Sequence, residues 1–312
     1  MTNGLAFVFP GQGSQKVGML AEIAAAEAVV TQTFEEASEA LGYNMWDLVQ
    51  NGEQEALNLT ENTQPVLLTA SVALWRVWQG RGGATPAYMA GHSLGEFSAL
   101  VCAGSLDFAD AVKLVRARGQ FMQTAVPVGE GAMAAVLGLD DELIVDICKQ
   151  SSAAGVVEAV NFNAPGQVVI AGHVAAVDQA IAALKEAGAK RAMPLPVSAP
   201  FHTSLMQPAA EKLSAAIDAI EWRAPAIPVV HNVHGQTESD PAAIRALLVR
   251  QLYSPVKWVD CVTAMVAQGV STVVECGPGK VLSGLNKRID KSLNSLNIED
   301  PSSVDAALAA EL

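Results

Sequence analysis

Basic residues are scarce: 19 lysines and arginines stand against 32 aspartates and glutamates, a formal net charge of −13 over 312 residues. Nucleic acid is held through phosphate contacts that need a basic surface, so a general nucleic-acid binder is excluded. Cysteines number four (Cys102, Cys148, Cys261, Cys276) and form no C-x-x-C pair. They read as reduced, mostly buried thiols of a cytoplasmic protein. No apolar run reaches the roughly 18 residues needed to span a bilayer. The start, "MTNGLAFVFPGQGSQ", lacks the basic stretch of a signal peptide and meets Pro10 and glycines too early, so no membrane partner is expected. Repeats and low-complexity tracts are absent as well. What the chain has in quantity is apolar material, 51% of its residues, enough for a large core and two structural units.

The order of elements predicts how that material is divided. "LAFVFPG" reads as a buried strand ending at a glycine-rich loop, followed by two or three helical stretches that include "QTFEEASEALG" and "QPVLLTASVALWRVWQG". "AYMAG" is a second strand, and a helix runs from about Phe108 to Thr124 with Ser105 or Asp107 as its cap. Strands alternating with helices imply a mostly parallel α/β sheet. After residue 125 the rhythm becomes β-α-β-β-α-β, from "GAMAAVLGL" to "KRAMPLPVS", with "NAPG" as the central turn. That is the ferredoxin-like arrangement. The α/β rhythm resumes with the strands "IPVVHNV" and "TVVECG", and the tail reads as a polar loop and a short terminal helix. The expected architecture is a large α/β domain, 1–125 and 199–312, with a small ferredoxin-like domain, 126–198, inserted in it. A cleft between the two is the default ligand site.

"GHSLG", residues 91–95, fits G-x-S-x-G, in which a strand turns abruptly into a helix and lifts the serine hydroxyl clear of the turn. Taken alone the pattern also suits a serine that only turns the chain or caps a helix. A nucleophilic serine needs a base, an orienter for the base and donors for an oxyanion. Of the five histidines, His92 adjoins Ser93 and shapes the elbow, and His173 opens a helix. His231 and His234 end a sheet strand, a possible site position for which a structural role is the simpler reading. His202, in "VSAPFHTSLM", lies where the chain re-enters the large domain and faces the cleft; by position it is the candidate base. "FPGQGSQKVG" puts Lys16 where a dinucleotide fingerprint needs a third glycine, and "GPGKVLSG" lacks the features of a phosphate loop, so neither is a nucleotide site. Arg116 and Arg118, two apart on a helix, point to different faces; one can turn inward, and a buried arginine requires an anionic partner.

"FPGQGSQ", "GHSLGE", "ARGQFM", "NFNAPGQVVIAG", "APFHT" and "ECGPGKVL" occur in order and well spaced. Together they resemble the malonyl-CoA:acyl carrier protein transacylases of bacterial type II fatty-acid synthesis, from Phe7 to about Arg288. The resemblance implies a hydrolase-like large domain with the nucleophile elbow. It implies Ser93 as nucleophile, His202 as base and Arg118 as the residue that binds the malonyl carboxylate. Gln12 and Leu94 would supply oxyanion-hole N–H groups, and Gln251 would orient His202 through its backbone carbonyl. That role accounts for the lack of a convincing triad acid between residues 93 and 202. Phe201, beside the base, would crowd the acyl pocket and favour malonyl over methylmalonyl.

The implied activity is acyl transfer from malonyl-CoA to acyl carrier protein through a malonyl-serine, with coenzyme A as part of the substrate and no metal or other cofactor. A serine esterase of the α/β-hydrolase type is the alternative, weakened by the missing HGGG stretch and acid. A non-catalytic module that binds carrier protein is disfavoured by the presence of serine, histidine and arginine at matching positions. Carrier proteins of this pathway are acidic, so docking needs a local basic patch; the candidate clusters are Lys190-Arg191 and Lys287-Arg288.

Overall fold

The computed structural model describes residues 4–197 and 199–310; Ser198, at the end of the last expected small-domain strand, lies outside them. The strands are β1 (Leu5–Phe9), β2 (Tyr88–Gly91), β3 (Gly131–Leu137), β4 (Val157–Ala164), β5 (Gln167–His173), β6 (Arg191–Pro194), β7 (Val229–Val230), β8 (Thr272–Cys276) and β9 (Asn294–Ile298). They form two sheets. The larger has the order β7-β2-β1-β8-β9 and is parallel throughout. The smaller has the order β4-β5-β3-β6 and is antiparallel.

β1, "LAFVF", is apolar without interruption because both faces of a parallel sheet are covered. Successive side chains alternate between the faces. Phe7 packs against Trp75 and Trp78 of the helix Thr60–Gly80, with ring centroids 5.2 and 5.1 Å apart. Ala6 and Val8 join the opposite cluster, around Trp258, Val262 and Met265. The smaller sheet is likewise covered on one face by helices Asp141–Ser151 and Val174–Glu186, through Ile144, Val177 and Leu184. Its other face contributes Met133, Val169 and Ala171 to the main core, so the two sheets share one apolar interior.

The structure departs from the sequence reading in three places. Five helices, rather than two or three, separate β1 from β2. β7 is only two residues long, because the chain turns back at once: the His231 N–H donates to the Gln236 carbonyl and Val230 bridges Thr237. The tail expected as a polar loop contains β9, a parallel edge strand. Edge strands need only one apolar face, and here Leu296 and Ile298, two apart, supply it between Ser and Asn residues. The helix Phe108–Gln123 takes Asp107 as its cap, whose carboxylate accepts from the Ala109 N–H at 3.0 Å. Among the described residues no helix is long and apolar enough to cross a membrane.

Three loops converge at the carboxyl ends of adjacent strands β7, β2 and β1, where open α/β sheets bind ligands. The middle one is the turn from β2 into the helix Leu94–Cys102. A Cβ at Gly91 would collide with the Gly95 backbone, and one at Gly95 with the Phe9 carbonyl at the end of β1. The close approach of backbone to backbone is what fixes the turn against the sheet. Gly95→Ala is expected to cost about 1–3 kcal/mol, the usual effect of overpacking, measured as a lower denaturation midpoint. A midpoint equal to that of the parent would show that the helix slides away from β1 freely.

Candidate active site

Ser93 sits in the turn at φ 51°, a conformation that a non-glycine residue holds only under constraint. Asn232, just past β7, supplies the constraint from both sides: its Oδ1 accepts from the Ser93 N–H at 2.8 Å and its Nδ2 donates to the Gly91 carbonyl at 2.7 Å. His92 points away, its Nε2 on Asn163 Oδ1 at 2.7 Å and its ring 5.7 Å from that of Trp258. It therefore shapes the elbow and leaves the hydroxyl free.

The Ser93 hydroxyl meets His202 Nε2 at 2.8 Å. On the far side of the ring, Nδ1 lies 2.9 Å from the Gln251 backbone carbonyl. A carbonyl can only accept, so Nδ1 carries the hydrogen and Nε2 presents a lone pair to the serine. Burial, and after it the positive charge of Arg118, pull the imidazole down to about 3; the bond to the Gln251 carbonyl opposes this. The ring is neutral at physiological pH. His202 also has a positive φ, 64°, so Ser93 and His202 are both held by strained backbone.

Arg118 is fully buried on the helix Phe108–Gln123. Its Nη1 donates to Gln64 Oε1 at 2.8 Å; its Nη2 donates to Gln251 Oε1 at 2.8 Å and to Ser93 Oγ at 3.1 Å. Phe97 lies under the guanidinium, centroid 5.3 Å away. The Nε–H has no partner among the described residues. Sequence reasoning required an anionic partner for a buried arginine; instead two amide oxygens hold it, and the carboxylate of Glu96 stands behind Gln251. Burial pulls the guanidinium down to about 10, against the opposing charge of Glu96, and it stays cationic at neutral pH. Arg116, by contrast, is half-buried over the Tyr43 ring at 5.3 Å.

Gln12 follows β1 in the adjacent loop, and its Oε1 accepts from Thr60 Oγ at 2.7 Å. Leu94 opens its helix, so its N–H has no acceptor within the helix. Phe201 is buried in the main core. The structure thus brings Ser93, His202, Arg118 and Gln251 into hydrogen-bond contact, with Leu94 next to Ser93 in the chain and Gln12 joined to Arg118 through Thr60 and Gln64. Such an arrangement can deprotonate a hydroxyl and pair with an anionic group beside it.

A surface cleft lined by Ala125, Pro127, His173, Leu205 and Glu211 contains neither Ser93 nor His202. The Ser93–His202 pair lies at the strand ends instead. His231 is buried against Glu96, and His173 sits at the N-cap of its helix, its side chain accepting from the Val156 N–H rather than from the helix. All four cysteines are free, and burial raises every thiol, Cys148 to about 12, so none competes as a nucleophile. No cluster of three or more His, Cys, Asp or Glu among the described residues is placed to hold a metal ion. The two basic clusters meet at one end of the smaller sheet. Arg191 pairs with Leu137, Leu137 pairs with Gln167, and Arg288 Nη1 donates to Gln167 Oε1 at 2.6 Å. Lys190, Arg191, Lys287 and Arg288 are all exposed.

Sequence reasoning missed Asn232, Gln64 and Glu96. Asn232 and Gln64 carry no local signal, since both act across long stretches of chain. Glu96 carried one, as the only charged residue in the apolar helix Leu94–Cys102.

A parallel α/β sheet with a serine at the elbow and a neutral histidine oriented by a carbonyl defines an acyl-transfer fold. The sequence model described as acyl transferase domain matches residues 6–304, and the chain belongs to that family. The malonyl CoA-acyl carrier protein transacylase of Salmonella typhimurium is 60% identical over 303 residues, 97% of this chain and 98% of the relative. The crystal structure of an acyl carrier protein S-malonyltransferase from Vibrio cholerae superposes with a TM-score of 0.96 at 58% identity, covering 97% of this chain and 99% of that one. A malonyl-transacylase in complex with a type II PKS acyl-carrier protein gives a TM-score of 0.96 at 55% identity, over 97% of this chain and 98% of that one.

The depressed histidine has a consequence for stability. Between about pH 6.5 and about pH 3 the unfolded chain binds a proton at residue 202 that the folded one refuses, so stability rises with pH across that window and falls on acidification. His202→Gln is expected to flatten this dependence, by up to about 1.4 kcal/mol per pH unit. Denaturation midpoints of parent and variant at a series of pH values check it; parallel curves would show that the imidazole titrates normally in the fold.

Proposed function

We propose that the chain transfers a malonyl group from malonyl-CoA to the phosphopantetheine thiol of acyl carrier protein through a malonyl-Ser93 intermediate. One observation carries the reading: a buried guanidinium, Arg118, lies within 3.1 Å of the nucleophile's oxygen, where an acyl group's distal carboxylate would reach it. An esterase has no need of a buried cation at that place. The names of the relatives support the same substrates.

His202 Nε2 takes the Ser93 proton as Oγ bonds to the thioester carbon. The resulting oxyanion is held by the N–H groups of Gln12 and Leu94. The C–S bond then breaks and the proton passes from His202 to the departing coenzyme A sulfur. The carrier thiol next gives its proton to His202, attacks the ester carbon, and Ser93 regains the proton as its C–O bond breaks. The Gln251 carbonyl stabilises the imidazolium that forms in each half-reaction, the part an acid plays in a triad. Two half-reactions sharing one site give ping-pong kinetics, and no step moves an electron or needs a further cofactor.

The finer reading of the fold accompanies this one: a hydrolase-like large domain, 1–125 and 199–312, with a ferredoxin-like insert, 126–198. The strand order β4-β5-β3-β6 with two helices on one face supports the insert. Phe201, buried next to the base, supports malonyl over the bulkier methylmalonyl. A cytoplasmic location suits four free thiols and a fatty-acid pathway.

Two experiments test the proposal. Malonyl-CoA without acceptor should add one malonyl group at Ser93, seen by intact mass and peptide mapping, and Ser93→Ala should abolish it. In Arg118→Ala, malonyl transfer should fall by about thirtyfold to several thousandfold, since truncating a desolvated charge pair costs about 2–5 kcal/mol. Acetyl transfer, which leaves the buried cation unpaired, should stay level or rise. Equal losses with both acyl groups would make Arg118 a structural residue, and rapid hydrolysis without transfer would return the esterase.

For carrier docking we assign the exposed basic edge formed by Lys190, Arg191, Lys287 and Arg288. Arg191, Leu137 and Gln167 are directly opposed across three strands about 4.8 Å apart, so the two clusters act as one patch against an acidic partner. Reversing either pair is expected to raise the KM for carrier protein at low salt while leaving that for malonyl-CoA unchanged. An unchanged carrier KM excludes the patch.

A further inference from the structure

Behind the nucleophile lies a buried acid that the transfer steps leave unused. Glu96, three residues after Ser93 on the first turn of its helix, is fully buried. Its Oε1 accepts from His231 Nδ1 at 2.7 Å; its Oε2 accepts from the Asn232 N–H at 2.9 Å and from Gln251 Nε2 at 2.9 Å. Burying a carboxylate is costly unless its lone pairs are filled, and three donors fill them here.

Gln251 carries the effect onward. Its NH2 faces Glu96 and its Oε1 faces Arg118 Nη2 at 2.8 Å. A carboxylate only accepts and a guanidinium only donates, so the amide has a single allowed orientation. Turned over, it would set NH2 against guanidinium and oxygen against carboxylate. The other amide on the guanidinium, Gln64, is braced more weakly, by Thr60 Oγ at 3.2 Å and Met122 Sδ at 3.9 Å.

We propose that Glu96 is a positioning residue for acyl-group selection: through the Gln251 amide it holds the Arg118 guanidinium where a substrate carboxylate can pair with it. Direct contact between Glu96 and Arg118 would saturate the cation and compete with the substrate. One intervening amide keeps the counter-charge near and leaves the guanidinium short of an anionic partner, with its Nε–H unpaired among the described residues. The simpler role, in which Glu96 only ties the His231–Asn232 segment to the elbow, makes a different prediction. A tie supports every acyl group alike, whereas a positioned guanidinium matters to carboxylated ones alone.

The inference rests on the reading of Arg118 as the carboxylate-binding residue, and the experiment separates the two. Single-turnover acylation of Ser93 by malonyl-CoA and by acetyl-CoA is measured in the parent, Glu96→Gln and Arg118→Ala, with thermal melts alongside. Glu96→Gln keeps the shape of the side chain but removes its charge and can turn NH2 toward Gln251, which weakens the brace on an amide that then keeps only the Ser93 carbonyl and Arg118 to orient it. Its kcat/KM is expected to fall about tenfold or more with malonyl-CoA and to stay within about threefold with acetyl-CoA. Equal loss with both thioesters, or no loss, in a variant that melts cooperatively overturns the proposal. Should Glu96→Gln not fold, Glu96→Asp, which withdraws the carboxylate by one methylene, is judged by the same ratio. If Arg118→Ala itself fails to separate malonyl from acetyl, the reading of Arg118 falls and this inference with it. A selective Arg118→Ala beside an unselective Glu96→Gln overturns the role of Glu96 alone.

Discussion

A cation held out of water beside a neutral imidazole is the constraint around which the site is arranged. Arg118 is buried with no carboxylate of the described residues in contact, and its charge helps keep His202 unprotonated 2.8 Å from the serine. Removing a guanidinium from water is expensive unless its donors are used. The fold uses them with neutral oxygens, those of Gln64, Gln251 and Ser93, and sets Glu96 one residue further back. The outcome is a positive site that remains short of an anion. Such a site gains from binding a carboxylate what a fully paired arginine cannot.

Gln251 joins the two halves of that arrangement. Its side chain contacts Arg118 and Glu96, while its backbone carbonyl takes the Nδ1–H of His202. The group that fixes the tautomer of the base is therefore attached to the group that braces the cation. A carbonyl in the place of a triad carboxylate leaves the imidazole without a compensating negative charge, which agrees with its downward shift.

Ser93 and His202 both stand on positive-φ backbone, at φ 51° and φ 64°. Conformations of that kind cost of order 1–3 kcal/mol each and persist only where the surroundings over-determine them. At Ser93 the ends of three parallel strands do so: β1 packs on Gly95, β2 leads into the turn, and Asn232 after β7 clasps the turn by two hydrogen bonds. The strain at Ser93 is carried by the sheet rather than by the turn itself.

Local order and composition were enough to announce the alternation of strands and helices, the strands of the smaller sheet, the turn at Ser93 and the histidine at 202, because each leaves a short-range pattern of glycines, apolar periodicity or turn residues. β9 escaped notice because an edge strand shows only two apolar positions, Leu296 and Ile298, among polar ones. The split between Arg116 and Arg118 was legible from helical geometry, but which of them turned inward was not decided by spacing. Tertiary structure alone settled which partners hold the inward cation. Gln64, Glu96, Asn232 and Gln251 lie far apart along the chain and carry ordinary polar side chains. Their hydrogen bonds come into being only when the strand ends and the helix Thr60–Gly80 are packed together. A buried polar network depends on which donor meets which acceptor in space, and a linear sequence does not contain that pairing.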